Sequence, residues 1–137
     1  MGGKLLECEV KIETPIKATE NPRKVLESIL NIFPKIKIKE TDKSIKGEGG
    51  IEALEELKES LEKRRIRSTA RKILYENRIG PKTTFYLNKQ AAFIGKTNIL
   101  EEEISSLGDI KIEIISENLK EVIDWLAPKI EDEPQAN

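Results

Sequence analysis

The chain has 137 residues, 36% of them charged, with 24 Lys/Arg against 25 Asp/Glu, no His and one Cys. That length suits one domain with a core of its own, read as residues 1–128 ahead of an acidic tail, 129–137, expected to fray. Lacking His, a second Cys and any apolar run longer than Ala91–Ile94, it is expected to have no cofactor, disulfide, membrane span or signal peptide. A reducing cytoplasm is the expected compartment, and the wealth of Lys, Glu and Ile suits a thermophile protein laced with surface ion pairs.

Leu6, Cys8, Val10 and Ile12 alternate with charged residues, which predicts a half-buried strand ended by Thr14-Pro15. Asn21-Pro22 reads as an N-cap followed by proline at the first helical position, and Val25, Leu26, Ile29, Leu30 and Phe33 follow at helical spacing up to Pro34. Ile36–Lys39 alternates and pairs with Ser44–Gly47 across Thr41-Asp42-Lys43. Gly47–Gly50 reads as an ordinary turn, because Glu48 spoils a phosphate cradle. Ile51–Arg65 is amphipathic. Ile66–Asn77 is a second helical pattern, continuous with the first or broken near Arg65, and Gly80-Pro81 closes it.

Lys82–Asn88 and Ala91–Gly95 read as two strands of a tight hairpin. Asp109–Ile115 is a last strand, and Asn118 caps a final helix ended by Pro128. Strands joined by short turns, with helices grouped between them, predict an α+β fold: an antiparallel or mixed sheet with helices packed on one face.

Charge is sorted along the chain. From Lys63 to Lys96 there are ten Lys/Arg and one acid, Glu76, so this segment is formally +9 and the remainder −10. On a helical wheel Arg64, Arg67 and Arg71 fall in one row opposite Ile66, Ala70, Ile73 and Leu74, with Arg65 and Lys72 beside it. Such a row suits successive phosphates, each held bidentately. The plain alternative is a solvated face in which these arginines pair with Glu55, Glu56, Glu59 and Glu62. In the hairpin, Phe85, Leu87, Ala92 and Ile94 share the core face, while Tyr86 and Phe93 oppose one another beside Lys82, Thr84 and Asn88. Paired rings among lysines form a base-stacking platform or, alternatively, the centre of a homodimer interface.

Other motifs carry no chemistry. Gly95-Lys96-Thr97 ends like a phosphate-binding loop, but Gln90 stands where that loop needs glycine. The runs Glu101–Glu103 and Glu131–Glu133 read as solvated acid, and Cys8 as a small buried hydrophobe.

The first strand (EVKIETP), the Asn21-Pro22 helix with its NIFP end, the TTFYLNKQAA run and the DWLAP ending together resemble an archaeal family of uncharacterised small proteins. The resemblance spans nearly the whole chain. It implies a fold like that of the ribosomal protein called L-five and distant similarity to exosome-associated RNA-binding proteins.

The expectation is therefore a non-catalytic RNA-binding module. Arg64, Arg67, Arg71, Lys72, Lys82 and Lys89 would contact phosphates, and Tyr86 and Phe93 would stack on bases. The alternative is a protein-interaction or homodimerisation module.

Overall fold

A computed structural model describes residues 6–130; the end of the expected acidic tail, 131–137, lies outside the described residues. The strands are β1 (Glu9–Pro15), β2 (Lys37–Glu40), β3 (Ser44–Gly49), β4 (Lys82–Leu87), β5 (Ile99–Leu100) and β6 (Ile110–Ile115), and burial alternates residue by residue along β1, β3, β4 and β6. The helices are α1 (Pro22–Ile32), α2 (Glu55–Lys63), α3 (Arg67–Glu76), α4 (Lys89–Phe93) and α5 (Leu119–Leu126). A 3₁₀ turn, Ile51–Leu54, leads into α2.

The strands form one sheet in the order β2-β3-β1-β6-β4-β5, every pair antiparallel. Register sorts its two faces. One row runs Ile38–Gly47–Ile12–Ile112–Phe85 and joins a cluster with Ile29, Leu57, Leu61, Leu74, Val122 and Ile123 from the helices. Gly47 permits this packing, since a Cβ there would stand 2.8 Å from Ile36 Cγ1. The strand therefore continues through residues read from sequence as a turn.

The other face is open to solvent. Its first row alternates in charge, Lys37–Glu48–Lys11–Glu113–Thr84, and the next, Lys39–Lys46–Glu13–Lys111–Tyr86–Leu100, holds three lysines and one acid. Lys46–Glu13 (3.8 Å), Lys82–Glu113 (3.5 Å) and Lys111–Glu113 (3.7 Å) approach across strands or along them. Cross-strand opposites of this kind cancel locally and leave the second row with a cationic excess of two.

Capping explains the helix starts. Asn21 Oδ1 accepts from Arg23 N–H at 2.9 Å, with Pro22 at the first helical position. Asn118 precedes α5 as expected, yet its side chain makes no capping bond. Helix α5 is held instead at its far end. Lys58 Nζ donates to Trp125 O (2.6 Å) and Arg71 Nη1 to Ala127 O (3.2 Å), so α2 and α3 each satisfy a carbonyl there. Among the described residues no helix is long and apolar enough to cross a membrane.

Candidate nucleic-acid interface

The predicted hairpin is half correct. Strand β4 forms and places Phe85 and Leu87 in the core with Tyr86 on the open face, but the second strand is helix α4. Asn88 Oδ1 accepts from Ala91 N–H at 2.8 Å, an N-cap bond that starts a helix where a strand turn was read. Two alanines favour the helix. Gly95, at φ 77, ends it in a Schellman motif, with Lys96 N–H on Ala91 O (2.8 Å) and Gly95 N–H on Ala92 O (2.9 Å). Tyr86 and Phe93 are therefore not opposed. Tyr86 sits beside Lys111 and Leu100 on the sheet, whereas Phe93 lies against α1 with Lys24 Nζ 5.7 Å from its ring centre. No single surface carries both rings, either as a stacking platform or as a dimer core. Ile94, expected in the core, is exposed.

Lys89 is also placed differently from expectation. It is 5% exposed and donates to Pro15 O (2.8 Å), Leu107 O (3.0 Å) and Glu20 Oε1 (3.0 Å). Three acceptors use all three ammonium protons, so Lys89 ties together three loops and has none left for a phosphate.

The arginine row divides in the same way. Helix α2 ends at Lys63 and α3 begins at Arg67, so Arg64 does not share a helix with Arg67 and Arg71. Arg71 Nη1 meets Asp124 Oδ1 at 2.8 Å, and its guanidinium lies 5.0 Å from the Tyr75 ring centre. Burial alone would raise the Asp124 carboxyl. Hydrogen bonds from Lys120, Tyr75 and Arg71 outweigh it and hold the carboxyl at about 2. The Tyr75 hydroxyl is pushed up, by burial first and then by its bond to Asp124. Arg71 is thus a structural cation between α3 and α5. Arg67 Nη1 lies 3.5 Å from Glu62 Oε2. Lys82 faces Glu113 on the open sheet.

What remains is a compact group of exposed cations at the α2–α3 turn. Lys63, Arg64 and Arg65 are exposed, and among the described residues no acidic side chain pairs with them. The bond between Ser60 and Thr97 hydroxyls (2.7 Å) brings the loop bearing exposed Lys96 beside the last turns of α2. Lys72 is exposed one turn into α3. Helix α3 starts at Ile66 with no side-chain cap and no acid in its first turn, so its amino end adds positive potential.

The turn has an unusual centre. Ile66 N–H donates to Leu61 O (3.0 Å) and Arg65 N–H to Glu62 O (3.1 Å), a second Schellman motif. Its left-handed position, normally glycine, is Arg65 at φ 56; among the described residues it is the one non-glycine with positive φ. Sequence reasoning placed charge here but missed the left-handed residue, because two adjacent arginines do not announce one.

Cys8 is half-buried, and burial first, then Glu52, pushes its thiol up to about 11, away from nucleophilic chemistry.

An all-antiparallel α+β body with an exposed cationic two-helix turn is the class these features define. A family model described as RNA binding matches residues 9–117. A UPF0201 protein of Methanothermobacter thermautotrophicus is 50% identical over 122 residues, 89% of this chain and 92% of that protein. One from Sulfurisphaera tokodaii is 36% identical, covering 88% of each. The crystal structure of a UPF0201 protein from Methanococcus jannaschii superposes with TM-score 0.82 at 34% identity, over 94% of this chain and 99% of that chain. The chain belongs to the archaeal UPF0201 family. Its curated relatives come from thermophiles, in line with the composition.

Proposed function

We propose that this chain is a non-catalytic RNA-binding protein whose α2–α3 turn grips the phosphate backbone. The family model's description supports the reading. The observation that carries it is the exposed group Lys63, Arg64, Arg65, Lys72 and Lys96, set without acidic partners among the described residues on a chain of net charge −1. On the open sheet face Lys11, Lys46, Lys82 and Lys111 sit in ion pairs, whereas among the described residues no acid pairs with the turn's cations, so polyanion steering falls mainly to the turn. Arg65 strengthens the reading. A left-handed arginine costs stability that glycine would not, and such local cost gathers at functional sites. Tyr86, half-buried on the open sheet face one strand in from the β5 edge, presents part of its ring for a base to stack on.

Filter binding across a salt series tests this. Affinity should fall steeply with salt, and Arg64→Gln with Lys72→Gln should flatten the log–log slope by about 1.5, at about 0.7–0.9 per phosphate lost. Absence of RNA retention at low salt would end the proposal.

A further inference from the structure

Beside the turn, one side of α3 and the β5 edge enclose a groove of about 520 Å³, within the ~300–1,000 Å³ range of small-ligand sites. Its floor is Ile73 and Ile99, both nearly buried. Ile104 stands on the rim, 67% exposed, a large aliphatic surface with little to cover it. Strand β5 is the last in the sheet, so nothing among the described residues pairs along its outer side.

Polar groups are graded along this groove. Ser68 and Thr69 line the end next to the arginine turn, and Lys72 stands midway, one helical turn before Glu76. Glu76, Glu101 and Glu102 line the other, where Asn77 Nδ2 donates to Glu101 O (2.9 Å) and fixes that segment against the end of α3. The lined stretch of α3, Ser68 to Glu76, is about 12 Å long at 1.5 Å per residue.

We propose that this groove receives unpaired bases of single-stranded RNA whose phosphates lie on the α2–α3 turn; the inference rests on the RNA-binding reading above. Charge complementarity chooses the occupant. Three carboxylates repel phosphate from the groove itself but accept hydrogen bonds from exocyclic amino groups, as Glu and Asp do from cytosine N4. The apolar floor suits the ring faces. The hydroxyls of Ser68 and Thr69 stand at the end nearest the cations, where the backbone enters, with Lys72 between them and Glu76. A duplex cannot deliver its bases into such a slot, whereas single strands splay theirs out, and KH modules likewise clamp the backbone with a loop and leave the bases to a groove. Cytosine and adenine carry the amino groups the acidic end requires, and uracil does not.

The experiment uses the full chain with labelled oligonucleotides of equal length: oligo(C), oligo(U) and a hairpin duplex. Oligo(C) should bind about tenfold more tightly than the duplex and more tightly than oligo(U), since one base contact is worth a factor of about 5 to 150. Thr69→Trp, which fills the groove from an exposed position, should cost oligo(C) about tenfold and leave the duplex unchanged, and Thr69→Ser should behave as the parent. Oligo(C) carrying a single 4-thiouridine should crosslink to residues 67–76 or 97–104, a readout independent of the folding of any variant. Equal binding of all three RNAs, with crosslinks confined to the turn or the sheet, overturns the groove and leaves RNA binding standing. Failure of every RNA to bind removes both. Crosslinking of a lysine-rich peptide to Glu101 or Glu102 in the absence of RNA crosslinks would assign the groove to a protein and overturn the inference as well.

Discussion

Replacing Arg65 with glycine should raise stability and weaken RNA binding together. At φ 56 an L-residue pays roughly 1–2 kcal/mol relative to the right-handed region. Glycine removes that cost but returns about 0.4–1 kcal/mol through the freer unfolded chain. The net gain is about 0.5–1 kcal/mol, a rise of about 2–4 °C in Tm for a chain of this size. The Schellman bonds of Ile66 and Arg65 are backbone bonds and survive the change. Urea unfolding should therefore show a higher midpoint at unchanged slope. In filter binding, losing one phosphate contact should lower the salt slope by about 0.7 for single-stranded RNA. Helix α4 supplies the control. Gly95 holds the equivalent position at φ 77, and a Cβ there meets nothing within 4 Å, so Gly95→Ala isolates the backbone cost and should destabilise by about 1 kcal/mol. Arg65→Ala keeps the backbone cost and removes only the charge, so it should weaken binding without gaining stability. An unmoved or lowered midpoint for Arg65→Gly would refute the strain argument. A raised midpoint with an unchanged salt slope would refute the placement of RNA at the turn.

Lys89→Met should cost about 3 kcal/mol, because it leaves Glu20 nearly buried without its cation, and should leave RNA affinity alone; adding Glu20→Leu should restore much of the loss. Asp124→Asn acts through pH. The carboxyl, held at about 2 against an ordinary 3.8, adds stability that is complete above pH 4 and fades as pH falls through 2. With a third of the side chain open to solvent, that contribution screens down to about 1 kcal/mol at neutral pH. Urea unfolding of parent and variant should converge near pH 2, and a gap that persists there would refute the linkage.

The regular parts of the fold were legible because their signals are local. Period-two alternation located β1, β2 and β6, pairing across Thr41-Asp42-Lys43 located the start of β3, and Asn21-Pro22 announced α1. Helix α4 was not legible by the same means. Five residues make little more than one turn, too few for a period, and the run Ala91–Ile94 fits strand and helix alike. Its real signals, Asn88 at the start and Gly95 at the end, are also turn residues. The cationic segment was correctly found as charge and incorrectly assembled as a single helical row. Two of the partners that divide it are remote in sequence, Asp124 for Arg71 and Glu20, 69 residues away, for Lys89, whereas Glu62, beside Arg67, is one of the acids the sequence offered. Only folding decides which cations are neutralised at home and which remain for a ligand.

Trp125 is the chain's one tryptophan, and it accepts through its carbonyl from Lys58 while Lys58 Nζ lies 5.3 Å from its ring centre. Arg71 fastens α3 to the next turn of the same helix through Asp124 and Ala127. The indole thus stands as a native optical reporter at the meeting point of the two helices that frame the arginine turn. Any repositioning of those helices when they engage a ligand alters the cation beside the ring, and intrinsic emission registers it without a label.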